Sequence, residues 1–190
     1  LYNVAIGYQS AFTNTDTIGN VAIGYQCLSG KSTTISSLSS TNTYNVAIGT
    51  FCALMTTIGQ ANVAIGTECL RSNTTGNYNV AMGYQCMKDN SNNLSGNTAI
   101  GYNCLAKSTV STISTITPNS TNTYNVAIGY ECSLKDVGSQ GNVAIGARCL
   151  ALQSISGGNN NVAIGYECIA NSIESQNSVA IGYQCLLGAD

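Results

Sequence analysis

Apolar and polar positions alternate over short segments of this chain, and the segments repeat. The unit Asn-Val-Ala-Ile-Gly, or a close variant, recurs ten times. Its first apolar position falls at Val4, Val21, Val46, Val63, Val80, Thr98, Val126, Val143, Val162 and Val179. Most intervals are 17–19 residues, and two are longer, 25 and 28. A branched–small–branched triplet predicts a strand with Val and Ile on one face, and that face is the expected core. The Gly that follows permits a backbone corner. Tyr-Gln-Cys-Leu then reads as a second short strand, with Tyr and Cys on one face and Gln and Leu on the other. Turn formers such as 73–77 and 157–160 close each unit. Gly and Asn interrupt every copy, so no helical stripe survives.

A period in this range means one supersecondary unit copied and stacked. The predicted fold is therefore all-β, a parallel β-solenoid of about ten coils, with residues 1–190 forming a single repeat domain. Coils stacked at ~4.8 Å make a rod on the order of 50 Å long. Two Ser/Thr-rich insertions, 31–44 and 107–124, both open Lys-Ser-Thr and both run into Thr-Asn-Thr-Tyr-Asn-Val-Ala-Ile-Gly. They are expected to leave the stack as loops or small hairpins, and their likeness suggests a duplicated block of four coils. Asn-X-Ser/Thr sequons stand at Asn73, Asn93 and Asn119.

Counting from the Val as position 0, the other residue types also keep fixed addresses. Position +4 is Tyr in seven copies: Tyr8, Tyr25, Tyr84, Tyr102, Tyr130, Tyr166 and Tyr183. This is a candidate surface aromatic column. The remaining four tyrosines, Tyr2, Tyr44, Tyr78 and Tyr124, all sit at −2. Position +5 is polar except at Phe51 and should face solvent. Position +6 is Cys in nine copies: Cys27, Cys52, Cys69, Cys86, Cys104, Cys132, Cys149, Cys168 and Cys185. Ser10 takes that place in the first copy.

Composition narrows the chemistry. Only 7% of residues are charged and the net charge is −2, which provides no electrostatic footprint for nucleic acid or an acidic membrane. There is no run long enough to insert in a membrane and no recognisable signal peptide. The absence of His removes an imidazole base or ligand, and the cysteines lack a neighbouring base. Glu68, Glu131 and Glu167 share position +5 with Gln, which argues for a solvated face over an acid/base pair. We therefore expect no enzyme activity and no cofactor. The Cys column is open to three readings: small buried hydrophobes in place of Ala, disulfides between coils or chains, or, more remotely, a metal site. In-register Cβ vectors point the same way, so a vertical disulfide requires a local twist, and no close Cys pair favours metal. Flat Thr-rich faces can bind ice, but Thr concentrates in the insertions and forms no column.

The repeat Asn-Val-Ala-Ile-Gly-Tyr-Gln-Cys-Leu resembles the head repeats of YadA-like trimeric autotransporter adhesins and the related repeats of phage and large-virus tail fibres. The resemblance covers the whole chain. It implies a left-handed β-roll, three chains side by side, and a location outside the cell, on a cell surface or on a virion. That setting in turn implies oxidised cysteines, at least in part. The expected function is a structural subunit of a stiff surface fibre. The alternative is an adhesin head or receptor-binding fibre that reads a host-surface glycan or protein. The expected partner is a further copy of the chain, as a homotrimer or as a head-to-tail filament, since joining residue 190 to residue 1 of another copy nearly preserves the repeat interval.

Overall fold

A computed structural model describes residues 2–11, 17–30, 42–56, 58–89, 95–106, 123–133, 139–150, 158–170 and 175–186. Each repeat contributes one strand: β1 Val4–Ile6, β2 Val21–Tyr25, β3 Val46–Thr50, β4 Val63–Thr67, β5 Val80–Tyr84, β6 Thr98–Tyr102, β7 Val126–Tyr130, β8 Val143–Ala147, β9 Val162–Tyr166 and β10 Val179–Tyr183. All ten lie in one parallel sheet in sequence order. Equivalent residues face each other, as in Val63↔Val80, Ala64↔Ala81 and Gly66↔Gly83. No helix occurs among the described residues. The fold is the parallel β-solenoid that the period predicts. A second line of parallel bridges at −3, including Thr43↔Gln60 and Ser95↔Thr123, ties the coils together on another side. Most of both insertions, 31–41 and 107–122, lies outside the described residues, as do Asn93 and Asn119.

The strand faces are the reverse of the sequence expectation. Ala at +1, from Ala22 to Ala163, is fully buried, whereas Val at 0 and Ile at +2 are only partly buried and point outward. The reason is the width of the coil. Its interior already holds Cys at +6, the apolar +7 side chain and Asn at −1, all buried. A methyl group fits against them where a branched chain would overfill the space. Cross-strand stacking within the Val and Ile columns gives the larger residues their partial cover on the outside.

The expected second strand is also absent, and a corner takes its place. Positions +5 and +7 are left-handed, with φ +54 at Glu68 and +51 at Leu70. Two such residues flanking +6 break the period of two, so adjacent Cys69 and Leu70 both turn inward and are fully buried. Tyr at +4 points out, so Tyr and Cys do not share a face. A third left-handed residue at −2, such as Tyr78 at φ +58, turns the chain into the next strand.

Two devices fix the stacking register. Gly at +3 is obligatory: at Gly101, φ is +126 and an added Cβ would lie 2.0 Å from the Gly129 carbonyl oxygen. The other is a ladder of buried Asn at −1. Asn62 Nδ2 donates to Asn45 Oδ1 (3.0 Å) and to the Gly76 carbonyl (2.8 Å), while Asn62 Oδ1 accepts from the Asn79 N–H (3.0 Å). The pattern continues through Asn97, Asn125, Asn142 and Asn161. The Asn62 amide thus satisfies two backbone groups of the following coil and pairs with the Asn side chain of the preceding one, and a slip of one residue would break these bonds along the ladder.

Candidate interaction surface

The cysteines form one internal column. Eight are buried, Cys185 in the last coil is partly covered, and all nine are free thiols. The expected disulfides between coils are not formed. Each Sγ from Cys27 to Cys168 instead meets the carbonyl oxygen of the +3 Gly in the following coil, at 3.0 Å for Cys52 and Gly66 and 3.1 Å for Cys132 and Gly146. A longer approach is made to the carbonyl four residues back. Ser10 explains the column: its Oγ donates to the Gly24 carbonyl at 2.7 Å, the same bond made by a hydroxyl. The position requires a small hydrogen-bond donor, and sulfur redox chemistry is not part of that requirement.

Thiol acidity follows from this packing. The Cys132 thiol is pushed up to about 11 by its hydrogen bond with Cys104, with burial adding to the effect and Cys149 opposing it. Cys52 and Cys149 are raised as well, first by their neighbouring thiols, Cys27 and Cys132, and then by burial. Weak acidity and burial together make Cys52, Cys132 and Cys149 poor nucleophiles and poor metal ligands, whereas Cys27 is lowered to about 7, first by its hydrogen bond with Cys52. Among the described residues no group of three or more Cys, Asp or Glu is placed to hold a metal ion.

The outer surface carries three kinds of column. On the sheet, Val, Ile and Tyr project from each strand. The +4 tyrosines stack on one another: ring centroids are 5.3 Å apart for Tyr8–Tyr25, 5.2 Å for Tyr84–Tyr102, 5.1 Å for Tyr102–Tyr130 and 5.3 Å for Tyr166–Tyr183. Thr50, Thr67 and Ala147 interrupt the stack, and Phe51 meets Tyr25 edge-on. Beside it, the +5 side chains form a partly covered polar ladder at the surface. Gln85 Nε2 donates to Glu68 Oε2 (2.7 Å), and Gln184 Nε2 donates to Glu167 Oε2 (2.9 Å). Arg148 bridges Glu131 (3.2 Å) and Glu167 (3.6 Å). Burial works against ionisation of Glu68, but Lys88, Gln85 and Arg71 outweigh it and hold the carboxyl below its ordinary range.

The third column is at −2, where Tyr2, Tyr44, Tyr78 and Tyr124 are highly exposed. The sequence had given these tyrosines an address without a role. Asn73, the one sequon among the described residues, is fully buried, and its Oδ1 accepts from the Gly76 N–H at 2.9 Å. It offers no site for a glycan in the folded chain. No protein-family model, curated protein or solved structure matches this chain.

Proposed function

We propose that this chain is a structural subunit of a stiff fibre outside the cell, on a cell or virion surface, and that copies associate side by side through the outer face of the sheet. One observation carries the reading: the Val, Ile and Tyr columns of β1–β10 form a continuous face without a charged residue. Ten strands at ~4.8 Å and five residues at ~3.3 Å give about 700–800 Å². Soluble monomers seldom leave so large a contiguous apolar patch open, and it matches the roughly 800 Å² that each partner contributes to a standard interface. Identical columns are self-complementary, which suits a symmetric homo-oligomer. The likeness to trimeric β-roll fibres favours three copies. The rod supplies stiffness: in-register ladders, the Asn amides and the thiol–carbonyl bonds all run along its axis.

Light scattering coupled to size exclusion tests this at micromolar concentration. The expected mass is a multiple of 19.6 kDa, falling to the single-chain value in Ile65→Lys and Ile128→Lys with the β circular dichroism signal kept. A wild-type chain that runs as a dispersed 19.6 kDa species overturns the proposal.

A further inference from the structure

The −2 column alternates. Tyr2, Tyr44, Tyr78 and Tyr124 stand in the first, third, fifth and seventh repeats, and Gly19, Ala61, Gly96 and Gly141 fill the repeats between and after them. The small residues are what seat the rings. A Cβ on Gly19 would come within 2.6 Å of Tyr44 Cδ1, and one on Gly96 within 2.8 Å of Tyr124 Cδ1. Tyr44 and Tyr124 therefore each close one edge onto the Gly of the preceding coil, and Tyr78 follows Ala61. The tyrosines nevertheless remain 66% exposed at Tyr44, 67% at Tyr78 and 72% at Tyr124. The contrast with +4 is direct. Those rings stack in adjacent coils and cover one another's faces, whereas the −2 rings are two coils apart, ~9.6 Å, with no aromatic neighbour in the column between them.

We propose that this column is a binding track for an extended, neutral, β-linked glycan. Aromatic faces carry negative charge density and attract the C–H-rich faces of pyranose rings. In a β-1,4-linked chain successive sugars turn over, so the same face recurs every second sugar, about 10 Å apart, roughly two coil spacings. Tyrosine on every second coil matches that repeat. The residues before the rings, Thr43, Asn77 and Thr123, are polar and uncharged, and suit sugar hydroxyls. All described charged side chains lie at +5, +8 or +9, so nothing along the track selects an ionic ligand. The inference goes beyond the fibre reading and uses residues outside β1–β10.

Isothermal titration with cellopentaose and chitopentaose tests it, with the corresponding disaccharides and α-linked maltopentaose for comparison. A β-linked pentasaccharide is the shortest chain that reaches Tyr44, Tyr78 and Tyr124 together. We expect at least one β-linked pentasaccharide to bind about tenfold or more tighter than its disaccharide, and maltopentaose not to bind. Tyr78→Ala, which breaks the middle of the track, should bring the pentasaccharide down to the disaccharide's affinity, while Gln85→Ala leaves it unchanged. Ala61→Tyr serves as a second variant. Its backbone is already left-handed, φ +52, as at the native tyrosines, and the added ring covers the open faces and blocks binding with every native tyrosine present. Repeating the titration on Ile65→Lys chains should give the same affinity, which separates this proposal from the oligomer. Failure of both β-linked pentasaccharides to bind, equal binding of maltopentaose, or wild-type affinity in both Tyr78→Ala and Ala61→Tyr overturns it.

Discussion

Truncating one rung of the asparagine ladder, Asn62→Ala, measures how much of the stability resides in buried amides. Asn62 is 2% exposed. Its Oδ1 caps the Asn79 N–H (3.0 Å) and its Nδ2 caps the Gly76 carbonyl (2.8 Å). Alanine leaves the Asn79 N–H without that partner in a closed coil, while the Gly76 carbonyl keeps its bond from Asn73 Nδ2 (3.2 Å) and Asn45 Oδ1 keeps its bond from the Asn62 N–H (2.9 Å). One orphaned buried donor at about 1–3 kcal/mol and one lost bond to the Gly76 carbonyl at about 0.5–1.5 kcal/mol give a cost of about 1.5–4.5 kcal/mol. That is a large share of the roughly 5–15 kcal/mol of a typical domain. Gln85→Ala is the control: it also removes a side-chain hydrogen bond, but at the surface, where about 0–1 kcal/mol is expected. Guanidinium titration followed by circular dichroism reads both, with the slope of the transition checked for two-state behaviour. A cost below about 1 kcal/mol for Asn62→Ala, indistinguishable from Gln85→Ala, would refute the claim that these amides fix the stack.

Three further outcomes follow from single columns. Gly101→Ala, forced to φ +126 with its Cβ 2.0 Å from the next coil's carbonyl oxygen, should cost about 3 kcal/mol or more. For a chain of this size that lowers the melting temperature by roughly 6 °C or more. Ser133 is buried at +7, and its Oγ has no hydrogen-bond partner among the described residues where Leu105 and Leu150 stand in the adjacent coils. Ser133→Leu should therefore raise the denaturation midpoint by an amount worth about 1–3 kcal/mol. The raised thiols of the column, Cys132 among them, should weaken the fold in alkali. Below the ordinary thiol range both states are protonated, whereas between it and the raised value of about 11 at Cys132 only the unfolded chain ionises. Stability then falls as pH rises through that window. Cys132→Ser, scanned by melting temperature from pH 7 to 10.5, should flatten the slope.

The repeat, its period and the parallel stacking were legible because each depends on spacing alone. The strand's facing was not, since Val-Ala-Ile alternates equally well with either face inward. Hydrophobicity favours burying Val and Ile; the narrow coil, already occupied by Cys, Leu and Asn, admits Ala. No property of a single triplet reveals that width. The corner was misread for a related reason. Gln and Leu carry no signal for a left-handed backbone, yet Gln85 and Met87 adopt φ +54 because the coil must turn there. The Asn at −1 is visible in nearly every copy, but its hydrogen-bonded place inside the coil is not. Its invariance beside a strand was the available sign that it is an internal rung.

Position in the repeat, more than residue type, decides what a side chain does here. Tyrosine shows this most clearly, because the same ring occurs in two columns with opposite neighbours. At +4, on consecutive coils, each ring spends its faces on the next and becomes part of an apolar sheet surface. At −2, alternating with Gly or Ala, each ring keeps its faces open. Serine makes the parallel point inside the coil. Ser10 reproduces the thiol's bond to the glycine carbonyl, while Ser133, one address further along, buries a hydroxyl with no partner among the described residues. A solenoid multiplies whatever a position does by the number of coils. Small energies per rung become rod stiffness along the Asn and Gly columns, and weak contacts per ring become avidity along the tyrosines.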